Sequence, residues 1–128
     1  EIDDASMTCY VADGLIIATA TGSTAYSYAV GGPVLPPWIE NIILVAVAPH
    51  LSFDRPLVLD ASSRIDVTVH TRMPAMLTVD GRLAGKLQEN DRISIQRSPL
   101  VARFLRLGNR SDFYRTLVAR LSPHNGRC

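Results

Sequence analysis

Residues 1–54 contain no lysine or arginine. They hold six of the chain's acids, while residues 55–128 hold all 13 bases and the other six acids, so a net charge of +1 conceals a second part that is basic by seven. Those bases are scattered through strand-like stretches without interleaved aromatics, the mark of solvated faces rather than a nucleic-acid footprint. No nucleic-acid partner is expected. Cysteine is nearly absent too: Cys9 and Cys128 make neither a disulfide framework nor a cluster with metal-ligand spacing. Cys9 is expected to pack in a strand, Cys128 to have no role, and no residue of the chain is expected to hold a metal. Long apolar runs are missing as well, since the longest, Ile42 to Ala48, falls far short of the roughly 20 residues of a membrane helix. The acidic start Glu1, Asp3, Asp4 is unlike a signal peptide. The expectation is a soluble, cytoplasmic chain with no membrane contact.

What remains is ordinary globular material. A hydrophobic share of 47% against 20% charged residues is unlike disorder, and 128 residues suit one domain with a core of its own. Short apolar or alternating runs recur between turn residues: Met7–Val11, Leu15–Thr19, Ile42–Ala48, Leu57–Leu59, Ile65–His70, Ala75–Val79, Leu83–Leu87, Ile93–Gln96 and Val101–Leu105. This spacing predicts a mainly β, sandwich-like fold. The runs Arg64–His70 and Asp91–Gln96 alternate, so each should bury one face, whereas Ile42–Val47 does not alternate and should be covered on both sides. Asp13-Gly14 and Asp80-Gly81 are candidate tight hairpin turns.

Two segments break the β pattern. Residues Ser23 to Val30 open with hydroxyls that could cap a helix and stop at Gly31-Gly32-Pro33, which predicts a short helix. In Ser111–Leu121, an apolar stripe at helical spacing runs through Phe113, Leu117 and Leu121, or through Tyr114, Leu117, Val118 and Leu121. That helix requires something to pack on. The tail Ser122–Cys128 is expected to fray.

The stretch that could carry chemistry is Thr19 to Tyr26, a strand end followed by a glycine and a hydroxyl-rich helix start. Free backbone amides at such a start favour an anionic or carbonyl-bearing ligand. Ser23 and Thr24 add donors and acceptors, and the Tyr26 ring offers a flat face to a base. A serine or threonine cap after glycine is also everyday helix initiation, so the block alone leaves both readings open. A serine-hydrolase reading is weaker, because Gly22-Ser23-Thr24 lacks the second glycine of a nucleophile elbow and no histidine can be assigned as its base.

The block resembles the NAD kinase motif usually written TPTGSTAYS, preceded by ADG and followed by GGP. Here these stand as Ala12-Asp13-Gly14, Thr19 through Ser27, and Gly31-Gly32-Pro33. The resemblance continues through Pro49-His50, Arg55 to Leu59, Asp80-Gly81 and Asp91 into the C-terminal helix, and covers nearly the whole of residues 1–128. It implies the C-terminal, NAD-binding domain of a kinase that phosphorylates the adenosine-ribose 2′-hydroxyl of NAD, with ATP or polyphosphate as donor and a divalent metal such as magnesium. Thr24 through Ala29 (Thr24, Ala25, Tyr26, Ser27, Tyr28, Ala29) then look like the segment around the adenosine part, and Thr21 and Ser23 join them among the residues expected to bind NAD. Asp13 looks like an acidic contact near the nicotinamide ribose, and Asp80 like the acid of a DGQ-type turn, although both also suit a type I′ turn.

Two departures stand out. Ala20 replaces the usual proline, which should loosen the loop, and Arg82 stands where the family often has glutamine, where a guanidinium could reach a phosphate or point to water. The resemblance also implies that the Gly-Gly-Asp-Gly motif with its proposed catalytic aspartate lies ahead of this chain, in an N-terminal α/β domain on which helix 111–121 would pack. The fragment alone is therefore expected to be inactive, with no catalytic residue of its own. The family's homo-oligomeric habit implies a dimer or tetramer. Alternatives are a non-catalytic nucleotide-binding or assembly domain, and the C-terminal domain of a related lipid kinase.

Overall fold

A computed structural model of the chain describes residues 1–50, 53–105 and 107–121. It divides into two compact units, residues 1–97 and 98–128. Among its described residues the first unit holds seven strands: β1 (Gly14–Thr19), β2 (Ile42–Val47), β3 (Leu57–Leu59), β4 (Ile65–Thr68), β5 (Ala75–Val79), β6 (Arg82–Leu87) and β7 (Arg92–Ile95). They form three antiparallel sheets, ordered β1-β2-β3, β4-β7 and β5-β6.

The central strand β2 explains the architecture. Its apolar run has no polar face, and the fold covers both sides, as the missing alternation predicts. Ile42 and Leu44 pack with Ile65, Val67 and Ile95, so the β1-β2-β3 sheet lies face to face with β4-β7. Ile43 and Val45 point the other way, onto Ala20 and Leu35 with Val30 and Ile39 beside them. That second cluster clamps residues 20–39, which carry the hydroxyl-rich block, onto the sheet. Ile43 and Ile65 are among the most deeply buried side chains, at 0% and 1% exposure. Burying such residues contributes about 1.5–3 kcal/mol each.

At the β5–β6 hairpin, Asp80 (φ 48°) and Gly81 (φ 76°) both take the left-handed backbone that a type I′ turn requires. Asp13-Gly14 is not a hairpin turn. The Asp13 amide donates to the Val47 carbonyl at 2.9 Å and Gly14 faces Val47 in the ladder, so the pair extends β1 instead. A hairpin does form ahead of it, where Asp3 and Asp4 (φ 49° and 65°) turn the chain between Ile2 and Ala5.

Two expected strands do not form. Met7–Val11 is irregular and Cys9 is exposed rather than packed, and Val101–Leu105 is also irregular. Apolar content gives a segment a reason to be buried, but a strand also requires a neighbour to take its backbone hydrogen bonds. Cys128 and the tail from Ser122 lie outside the described residues.

In the second unit, α2 (Arg110–Leu121) starts with a reciprocal cap: the Asn109 amide donates to the Asp112 carboxylate at 2.7 Å, and the Asp112 amide to the Asn109 carbonyl at 3.0 Å. Phe113, Leu117 and Leu121 are half-buried while Tyr114 and Val118 are exposed, which selects the first of the two stripes.

Candidate functional site

The block Thr21–Ala29 folds as a 3₁₀ turn (Thr21–Thr24) followed by a four-residue helix, α1 (Tyr26–Ala29). The expected capped helix from Ser23 is thus broken at Ala25, and neither piece has a side-chain cap. Ser23 is fully buried and its hydroxyl does different work. It donates to the Ala20 carbonyl at 2.6 Å and accepts the Leu35 amide at 3.0 Å, tying the turn to the strap that crosses β2. Ala20 itself has φ −52°, within a proline's range, so the turn keeps the shape a proline would impose.

The far end of α1 is a Schellman closure, as the Gly31-Gly32 signal predicts. Gly32 donates to the Ser27 carbonyl at 2.8 Å and Gly31, at φ 90°, to the Tyr28 carbonyl at 3.0 Å. A Cβ on Gly32 would lie 2.7 Å from the Ser27 carbonyl oxygen and 2.3 Å from its hydroxyl, so only glycine fits. Ser27 is buried, and its Oγ has no hydrogen-bond partner among the described residues.

The block is therefore two-faced. Ser23 and Ser27, four residues apart, point inward, while Thr21, Thr24, Ala25, Tyr26, Tyr28 and Ala29 are exposed. The Tyr26 side chain is the most open of the large ones, at 63%. The outward face is a run of small side chains and hydroxyls flanked by two aromatic rings, suited to a flat, polar-edged ligand.

The other candidates lie elsewhere. Asp13 sits just ahead of β1 and the block just after it, so one strand separates them. Asp80 and Arg82, both exposed, belong to the separate β5–β6 hairpin. A cleft of about 390 Å³ is lined by Asp13, Tyr10, Asp66 and His70, and by no residue of the block. Burial raises the pKa of Tyr10 there, and its hydroxyl has no partner among the described residues. Composition carried no signal for this cleft. Among the described residues no group of three or more His, Cys, Asp or Glu could hold a metal ion.

The family model that matches is the ATP-NAD kinase C-terminal domain, over residues 1–107. The NAD kinase of Chloroflexus aurantiacus is 45% identical over 120 residues, which make up 94% of this chain and 44% of that protein. The NAD kinase of Dehalococcoides mccartyi is 41% identical over 125 residues, 98% of this chain and 44% of that one. The crystal structure of yeast NADH kinase complexed with NADH matches all of this chain and 40% of its own, with a TM-score of 0.80 at 28% identity. An NAD kinase from Archaeoglobus fulgidus in complex with ATP matches 94% of this chain and 45% of its own, with a TM-score of 0.77 at 29% identity. The chain thus spans less than half the length of the relatives it matches. With this sandwich, this two-faced turn and a family match over residues 1–107, the chain belongs to the ATP-NAD kinase C-terminal domain family.

Proposed function

We propose that this chain is the NAD-holding part of a kinase that transfers a phosphoryl group from ATP or polyphosphate to the adenosine-ribose 2′-hydroxyl of NAD. The observation that carries this reading is the partition of the block Thr21–Ala29: the Ser23 hydroxyl anchors it inward and Ser27 is buried on the same side, which leaves Thr24, Ala25, Tyr26 and Tyr28 outward. In that role the Tyr26 ring stacks on the adenine and the Thr21 and Thr24 hydroxyls bond to polar edges of the nucleotide. Phosphoryl transfer also requires a positioned nucleophile and a charge-neutralising cation. In this reading the divalent ion and the catalytic aspartate belong with an N-terminal domain of the longer protein, the placement the family resemblance implies, and α2 would pack on that domain.

Asp13 joins the site from a second copy. From Asp13 to Ser23 the chain runs the length of β1, roughly 20 Å at about 3.3 Å per residue, more than one compact pocket spans. A homo-oligomer brings the two ends together across an interface.

Calorimetric titration of NAD into the chain, beside the Tyr26→Ala variant and with light scattering for subunit number, tests both statements. Saturable binding that Tyr26→Ala weakens while the fold persists is expected. Binding untouched by Tyr26→Ala would move the nucleotide off the block, and a monomer with full affinity would remove Asp13 from the site.

A further inference from the structure

From Gly14 to Ile39 the chain has no Asp, Glu, Lys, Arg or His, a long gap in a sequence with 20% charged residues. Those residues are β1, the block with α1, and the strap held by Ser23, so they build and support the whole outward face. Burial accounts for the missing charge at Ala20, Ser23, Ser27 and Leu35. It does not account for exposed Thr21, Thr24, Ala25, Tyr26, Tyr28 and Ala29, where water would solvate a charge freely.

The charges that bound this run are both acids, Asp13 and Glu40. Within residues 1–97 four arginines already lie against carboxylates: Arg55 against Asp54 at 3.5 Å, Arg64 against Asp66 at 2.9 Å, Arg92 against Glu1 at 3.3 Å and Arg97 against Glu40 at 2.6 Å. The last pair matters most here. Arg97 is the cation that reaches the end of the strap, and Glu40 takes its charge. Arg72, Arg82 and Lys86 belong to the β5–β6 hairpin and the loop that leads into it. The outward face therefore offers hydroxyls, backbone groups and aromatic rings, and its own segment supplies no cation.

We propose that this face selects by charge: it holds the uncharged adenosine part of NAD and loses its grip once the 2′-hydroxyl carries a phosphate. The inference rests on the reading of the block as NAD-holding and adds a preference for substrate over product. A phosphate monoester brings a charge of about −1.5 to −2 at neutral pH. Bringing it onto this face strips part of its hydration shell, and no cation of the face compensates. The nearest charges along the chain, Asp13 and Glu40, repel it. Adenine and an unmodified ribose incur neither cost, so NAD displaces its own 2′-phosphorylated product.

Calorimetric titration of the chain with NAD, NADP and adenosine, each at low and at high salt, is the test. NADP is expected to bind at least about tenfold more weakly than NAD at low salt, and the gap to narrow at high salt as repulsion is screened. Adenosine should bind with an affinity that salt does not move. The Ala29→Lys variant puts an ammonium group on the exposed face without breaking α1, and should narrow the gap about threefold by strengthening NADP. NADP binding as tightly as NAD overturns the proposal and leaves the NAD-holding reading in place. A gap that neither salt nor Ala29→Lys narrows also overturns it, because its cause is then shape and not charge. NAD binding without adenosine binding does so too, by moving the grip to the pyrophosphate. Loss of saturable NAD binding itself would overturn the NAD-holding reading and this inference together.

Discussion

The Ser23 hydroxyl accepts the amide of Leu35 at 3.0 Å, joining two segments 12 residues apart, and at the same time donates to the Ala20 carbonyl at 2.6 Å. A hydroxyl that looks like a ligand contact in the motif is thereby committed to holding the loop against Ile43 and Val45. Ser23→Ala leaves the buried Leu35 amide without its acceptor. The expected loss is about 1–3 kcal/mol of unfolding free energy by denaturant titration. Nucleotide affinity should fall with it, because the outward face rests on this clamp.

Ser27, one helical turn on, should behave in the opposite way. Its hydroxyl is buried without a partner among the described residues, so Ser27→Ala removes a desolvated group and abandons none of them. Denaturant midpoints are expected to be unchanged or higher, by up to about 1 kcal/mol in stability. A loss comparable to that of Ser23→Ala would show that the hydroxyl has a partner.

Gly32→Ala drives a methyl to 2.7 Å from the Ser27 carbonyl oxygen. The Schellman closure must shift, at a cost on the order of 1–3 kcal/mol. Combining it with Ser27→Ala should not restore stability, because the clash with the backbone oxygen persists. Thermal melts of the two single variants and the double variant check this.

Tyr26→Ala separates binding from folding. The ring is 63% exposed, so the melting temperature should stay within the range of ordinary surface changes, about 0.5 kcal/mol. NAD affinity should fall by about 1–3 kcal/mol, the usual scale for a base stacked on an aromatic ring. Calorimetry and a thermal melt on the same sample give both numbers.

Acid should loosen both units. The carboxyls of Asp60 (held by the Ser62 hydroxyl), Asp66 (by Ser94, then Arg64), Glu89 (by His70, then the Thr71 amide) and Asp112 (by Arg115) all sit below their usual range. A lowered native pKa contributes stability that is fully present above the unfolded-state value, near 4, and is lost as pH falls through the native value. Melting temperatures should therefore be flat just above the unfolded-state carboxyl range and drop progressively below pH 4. A melting temperature that holds below pH 4 would contradict these pairings.

Local chemistry determined a good deal by itself. Ile42–Val47 read as a strand covered on both faces because it lacks polar alternation; Asp80-Gly81 read as a hairpin turn because those residues tolerate positive φ; Gly31-Gly32 marked the end of a helix for the same reason. Only the tertiary structure decided which hydroxyls of the block face outward, since that depends on Leu35, 12 residues further along, supplying an amide to Ser23. It also decided that Asp13-Gly14 prolongs β1 and that Met7–Val11 stays irregular. The first outcome depends on the Val47 carbonyl and the second on an adjacent strand. Hydrogen-bond partners of this kind come from distant parts of the chain, and a residue's own propensity carries no information about them.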